Sequence, residues 1–203
     1  MELIHHHFET ISSTNDWAKA HMASFGQKEL TLVTADTQEA GRGQYGRVWI
    51  SPPQKNFYGT FSFFIDNNLN DAISITHVMA ISLVHLLLEF DLSAQVKWPN
   101  DVLIAGKKIA GILCETIPTE KKTGIILGVG FNINMEKEDF DSLGHPATSL
   151  LLEKGKRFSL PQINDRLLEL FRFDLATYLE KGFFPFLPYF RKYIFIPDCK
   201  SVG

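Results

Sequence analysis

Between Gln95 and Asn134 the chain reads as four β-runs separated by brief breaks: Gln95 to Trp98, Val102 to Ala105, Lys108 to Ile117 and Gly124 to Asn134. The breaks are Pro99-Asn100-Asp101, the hairpin turn Ala105-Gly106-Lys107, and Pro118 to Thr123. A hairpin returns its strand antiparallel, whereas a parallel neighbour needs a crossover of about a dozen residues or more. Much of the sheet is therefore committed before any other part of the chain is considered. Three further strands precede this block: Leu3 to Phe8, the alternating run Leu30 to Ala35, and the aromatic, β-prone run Asn56 to Ile65. Ser12 to Asp16 is rich in N-cap residues and predicts a helix from there to about Ser24. Ile75, Val78, Met79, Ser82, Leu83 and Leu86 recur at helical spacing and predict a buried helix. Pro161, suited to the first helical position, opens a last amphipathic helix through Leu167, Leu168, Phe171 and Leu175. The expected fold is α+β: a mixed, largely antiparallel sheet with its helices gathered on one face.

Two bulk properties restrict what such a domain does. A formal net charge of −3 over 203 residues argues against a broad polyanion-binding surface, so any positive field must be local. Cys114 and Cys199, the only cysteines, make neither a disulfide framework nor a zinc site and fit a reducing compartment. The first residues lack the basic start and apolar run of a signal peptide, and no apolar stretch is long enough to span a bilayer. The expected location is cytoplasmic.

The local positive field is found in Gly41 to Pro52, whose first seven residues hold three glycines and two arginines, followed by Trp49 and a Ser-Pro turn. Glycines let backbone N–H groups approach an anion, and arginines add forked donors that match phosphate or carboxylate oxygens. With a flat indole beside them, the loop reads as a cationic cover for an anionic ligand that carries an aromatic group. Its glycines make it loose, and its arginines are expected to gain anionic partners only when ligand is present. A second cluster, Lys97-Trp98-Pro99-Asn100-Asp101-Val102, is followed by Lys107 to Glu115, and a hairpin would bring Asp101 and Lys108 together. A third, Gly128 to Asn134, is a strand relieved by glycines, which often marks close approach of a ligand.

Taken in order, Ser13-Thr14-Asn15, Gly41 to Pro52, Lys97 to Val102, Lys108 to Glu115 and Gly128 to Asn132 closely resemble the motifs of biotin protein ligases, over nearly the whole chain. The resemblance implies a two-step reaction. Biotin and ATP, with Mg2+, form biotinyl-5′-adenylate and pyrophosphate; biotin then passes to a lysine of a biotin carboxyl carrier protein, typically a subunit of acetyl-CoA carboxylase. It also implies residue roles. Ser13, Thr14, Asn15, Gln38, Arg42, Gly43, Gln44, Lys108 and Gly111 would bind biotin. Arg42, Arg47, Trp49 and Asn132 would bind the nucleotide, with Trp49 on adenine. Arg42, Lys97, Asp101 and Lys108 would be catalytic, the cations offsetting charge as two anions are brought together and Asp101 orienting or deprotonating the incoming lysine. No resident metal is implied. A lipoate or octanoate ligase or transferase of the same fold, and a non-catalytic biotin-binding regulator, are the alternatives.

Residues 1–182 are assigned to the catalytic-type domain, and 183–203 to a C-terminal segment that either packs on it or is the stub of a small β domain. Many relatives carry an N-terminal winged helix; the early Ser-Thr-Asn motif leads us to expect no DNA partner, and no membrane partner is expected either. A homodimer is left open. Plainer roles are expected elsewhere. Trp98 and Pro99 partly plug the core, Lys107 is a solvated turn residue, Cys114 is buried, and Phe183 to Phe195 serves packing. His5 and His7 share one face of a strand, with His6 on the other.

Overall fold

The structure, a computed structural model, describes residues 1–67, 72–141 and 143–196. Among the described residues there are seven strands: β1 (Glu2–Ile11), β2 (Glu29–Gln38), β3 (Phe57–Asp66), β4 (Ala94–Lys97), β5 (Asp101–Ile104), β6 (Lys107–Pro118) and β7 (Lys122–Phe131). They form one sheet in the order β1-β2-β3-β7-β6-β5-β4. Every neighbouring pair is antiparallel except β1 and β2, which run parallel because the helix α1 (Thr14–His21) carries the crossover between them. The mixed, largely antiparallel sheet expected from the hairpin block is the observed one.

The two principal helices, α2 (Ala72–Leu88) and α4 (Leu160–Lys181), cover one face. Helix α4 buries Ile163, Leu167, Phe171, Asp174, Leu175 and Tyr178, a stripe at helical spacing. Helix α2 is apolar nearly all round because the sheet lies beneath it and α4 lies across it. Phe61, Phe63 and Phe171 meet at this interface, with ring centroids 4.8 Å apart for Phe61 and Phe171. The shorter α1 occupies the opposite face, where Ala18 and Met22 bury against Val33 and Ile126. That asymmetry matters for function. On this face, beside the N-terminus of α1, strands β6 and β7 contribute to the lining of a cavity.

Beyond α4, α5 (Leu187–Tyr193) follows a single 3-10 turn. Phe186 joins the main core, Phe183, Phe190 and Tyr193 pack against it, and the Phe195 N–H donates to Val96 O at 2.8 Å. Cys199 lies outside the described residues. His5 and His7 do share a face, each hydrogen-bonded to Thr34 Oγ1 (2.8 and 3.0 Å), and His6 turns to Trp17 on the other. Cys114 is half-buried against the core, and burial pushes its thiol up to about 12. Two expectations are corrected. Trp98 does not plug the core; it is 62% exposed, because its flanking strand β4 sends Val96 inward and leaves the following turn outside. Lys107 is not merely solvated; its Nζ lies 2.6 Å from Glu153 Oε1 on α3 (Leu150–Lys154), a short helix capped by Ser149.

Candidate active site

The residues singled out from the sequence converge on one cavity of about 190 Å³ on the α1 face of the sheet. Ser13, Thr14, Asn15, Gln38, Arg42, Gly43, Gln44, Arg47, Trp49, Lys97, Asp101, Lys108, Gly111 and Asn132 all line it. Its floor is built from α1 and the two central strands. Ser13 caps the helix, accepting from Asp16 N–H at 3.3 Å, and so fixes the chain direction at the pocket. Gln38 Oε1 accepts from the Thr14 N–H (2.9 Å) and hydroxyl (3.1 Å), while its amide donates to Ser51 Oγ. Asn15 is tied on both sides: Thr60 Oγ1 donates to its Oδ1 at 2.6 Å, and its Nδ2 donates to Leu113 O and to Glu115 Oε2 at 3.1 Å. Ser13, Thr14, Asn15 and Thr60 are all buried, so this is a rigid set of polar groups fixed before ligand arrives.

Glycines clear the space above this floor. Gly111 and Gly130 face each other across β6 and β7. A side-chain carbon at Gly130 would collide with the Trp49 indole, one at Gly111 would lie 2.8 Å from the same ring and 2.9 Å from Lys108 Cε, and one at Gly128 would strike the Asn15 amide. The strand glycines thus make room for Trp49, Lys108 and Asn15. The indole spans Gly130 and Gly111 with Lys108 Nζ 5.2 Å from the ring centroid, and its Nε1 is buried without a hydrogen-bond partner.

Lys108 Nζ stands 2.7 Å from Asp101 Oδ1, the proximity expected from the hairpin. The register is not the simple one, however. Asp101 pairs with Gly111, and Leu103 with Lys108, because an irregularity follows Val102. The approach is a charge contact and not a directed hydrogen bond, since Asp101 Oδ1 accepts none. Lys97, across from Asp101 on β4, and Arg47 have no ion-pair partner among the described residues, leaving two unneutralised cations at the mouth. His145 registers this field: partial burial and the charges of Lys108, Arg47 and Lys97 hold its imidazole below the ordinary 6.5, against the pull of Asp101. Asn132 lines the cavity while its amide donates to Thr148 O at 3.0 Å, so it also anchors the next loop.

The Gly/Arg loop is a small self-bonded arch. Gly41 and Trp49 are joined by the Trp49 N–H to Gly41 O bond (2.8 Å), and the Gly43 N–H donates to Arg47 O (2.7 Å). Its tip turns through Tyr45 (φ 58°) and Gly46 (φ 71°), a left-handed pair for which glycine at the second place relieves the strain. The expectation that the arginines lack anionic partners without ligand does not hold for Arg42. Its Nη2 lies 2.5 Å from Asp16 Oδ1 and 2.9 Å from Glu115 Oε2. The sequence reading gave no role to Asp16, Thr60 or Glu115, whose contacts with Arg42 and Asn15 are tertiary. It also missed Phe140, Leu143 and His145, which line the cavity.

A sequence model of the biotin/lipoate A/B protein ligase family matches residues 7–132. Among characterised proteins, the bifunctional ligase/repressor BirA of Bacillus subtilis (strain 168) is 34% identical over 186 residues, covering 90% of this chain and 56% of that protein. The biotin–[acetyl-CoA-carboxylase] ligase of Mycobacterium tuberculosis is 32% identical over 144 residues, covering 68% of this chain and 52% of that protein. The chain spans about half the length of the curated relatives it matches. Among solved structures, the biotin protein ligase from Aquifex aeolicus in complex with biotin and ATP superposes with a TM-score of 0.75 at 27% identity, covering 95% of this chain and 78% of that one.

Proposed function

The chain belongs to the biotin/lipoate A/B protein ligase family, and on that premise we propose that it activates biotin with ATP to biotinyl-5′-adenylate and transfers the biotinyl group to a lysine of a biotin carboxyl carrier protein of acetyl-CoA carboxylase. The observation that carries the reading is the single cavity in which a fixed, uncharged polar floor meets a cationic mouth. The floor, from Ser13 to Asn15 with Gln38, suits the neutral ring system of biotin, which offers amide-like donors and acceptors. The mouth, with Arg47, Lys97 and Lys108, suits the carboxylate and the triphosphate.

In the first step a biotin carboxylate oxygen attacks the α-phosphorus of ATP, and the bond to pyrophosphate breaks. Lys108 lies between floor and mouth and offsets the charge that builds on the α-phosphoryl oxygens; Arg47 and Lys97 hold the leaving pyrophosphate. Trp49 offers the adenine a stacking face and Asn132 a polar edge. Mg2+ enters as a co-substrate with ATP, and when bound it would neutralise phosphate charge. Asp101, the acid lining the cavity and ion-paired to Lys108, is the residue that would help hold that ion. In the second step the lysine amine attacks the acyl carbon, AMP leaves, and Asp101 takes up the proton the nitrogen sheds. No helix among the described residues is long and apolar enough to cross a membrane, and we place the reaction in the cytoplasm.

The test is ATP–pyrophosphate exchange driven by biotin, lipoate or octanoate in parallel, followed by mass measurement of a carrier domain. Exchange with biotin alone and one added biotinyl group are expected. Exchange with lipoate or octanoate instead would assign the alternative chemistry, and binding of biotin without exchange would make the chain a regulator.

A further inference from the structure

The cavity of about 190 Å³ is smaller than the roughly 300–1,000 Å³ of ordinary ligand sites. The Gly/Arg arch supplies Arg42, Gly43, Gln44, Arg47 and Trp49 to its lining, so where the arch sits sets the space left for a nucleotide or an adenylate. What holds it down is therefore a determinant of ligand retention. Among the described residues, the arch from Gly41 to Val48 makes its ion pairs with the rest of the protein through one side chain, Arg42. Its guanidinium is shared between Asp16 on the first turn of α1 and Glu115 on β6.

Glu115 is the more connected partner. Its Oε2 accepts from Arg42 Nη2 and from Asn15 Nδ2, and its Oε1 from Lys19 Nζ at 3.2 Å. One carboxylate thus joins the lid to the amide that forms the pocket floor. Partial burial works against its charge, but hydrogen bonds from Asn15 and Lys19 and the Arg42 and Lys19 charges outweigh this and hold it below the ordinary 4.5. Its side chain is 20% exposed, against 48% for Asp16, so the Glu115 arm is the less screened by solvent.

We propose that Glu115, assisted by Asp16, is a positioning residue that latches the Gly/Arg arch closed over the ligand through Arg42 and couples that closure to Asn15. For the adenylate this rests on the ligase reading above; for the arch itself it does not. Glu115→Gln keeps the shape and an acceptor oxygen for Asn15 while removing the charge that Arg42 meets. Asp16→Asn removes the outer arm from an exposed site where folding is not in question.

Hydrogen exchange is read on the unliganded protein, with release of preformed biotinyl-adenylate from the same variants. Glu115→Gln is expected to speed exchange over residues 41–49 by about 10-fold, somewhat less than the loss of a whole hydrogen bond to a charged group because the amide oxygen remains, with a smaller effect for Asp16→Asn. Adenylate release should accelerate in the same order, and KM for biotin should rise more than kcat falls. Wild-type exchange over 41–49 in Glu115→Gln overturns the latch. So does faster exchange spread evenly over α1 and β6, which would make Glu115 only a structural tie. If no adenylate forms in the wild type, the ligase reading fails while the exchange measurement still decides the latch.

Discussion

Gly130→Ala is expected to leave the sheet standing and displace its tryptophan. Gly130 is fully paired in β7, and its absent side chain points at Trp49. A methyl carbon there would sit 2.5 Å from Nε1 and closer still to Cε2 and Cζ2, where nonbonded carbons settle at about 3.5–4.0 Å. The ring must therefore retreat by more than about 1 Å. Trp49 belongs to the arch and not to the core, so relief comes from lifting the arch, and the stability loss should stay near the low end of overpacking, about 1 kcal/mol. The functional loss is larger. A base stacked on an aromatic ring gains about 1–3 kcal/mol, so its loss weakens ATP binding roughly 5- to 150-fold. ATP is titrated in biotin-dependent pyrophosphate exchange, with thermal unfolding in parallel. An unchanged KM for ATP would refute the placement of adenine on Trp49. A collapse of thermal stability would refute the argument differently, by showing that the strand had yielded and not the ring.

Lys108→Ala should reduce adenylate formation by about 10²–10³ with circular dichroism unchanged; near-normal pyrophosphate release by the folded variant would remove Lys108 from the chemistry. Gln44→Arg should slow adenylate release and reduce biotinylation of a bystander protein by a few-fold, since charge-assisted hydrogen bonds are about twice as strong as neutral ones; unchanged or greater leakage would show that glutamine is no handicap. Asp174, buried between α4 and α2 with Ser82 Oγ at 2.6 Å, has its carboxyl raised by burial, against Ser82 and His85, which lower it. The folded protein then holds that proton more tightly than the unfolded chain, so the stability it contributes is full below the ordinary carboxyl value and is lost as pH rises through the raised one. Denaturant unfolding should show Asp174→Asn gaining on the wild type at pH 8 relative to pH 4, and an equal difference at both would refute this.

The sequence made strands and principal helices legible where periodicity was long. The alternation of Leu30 to Ala35 and the helical stripe of α2 each appear within a few residues of where they were expected. The pocket residues were legible because their motifs lie in a recognisable order. What stayed hidden depends on contacts distant in sequence. The Arg42 ion pairs join residues 26 and 73 apart, and although Glu115 closes one of the motifs, nothing in that motif points to Arg42 as its partner. Helix α3 has five residues, too few for a period to show. Trp98 misled because aromatic character argues for burial, whereas its position just past β4 placed it outside.

Gly111, Gly128 and Gly130 bear on how this protein fails when it mutates. Each lies within a strand bonded to its neighbours, and at each the space above is filled by a side chain proposed to serve the ligand. Any substitution there adds volume against that side chain, so on the proposed function activity is expected to suffer before the fold. Inactive chains from these codons should therefore persist in the cell as well-folded protein. Chaperones and proteases triage unfolded chains, so such variants would be cleared no faster than the active form, and the phenotype would be lost activity at normal abundance.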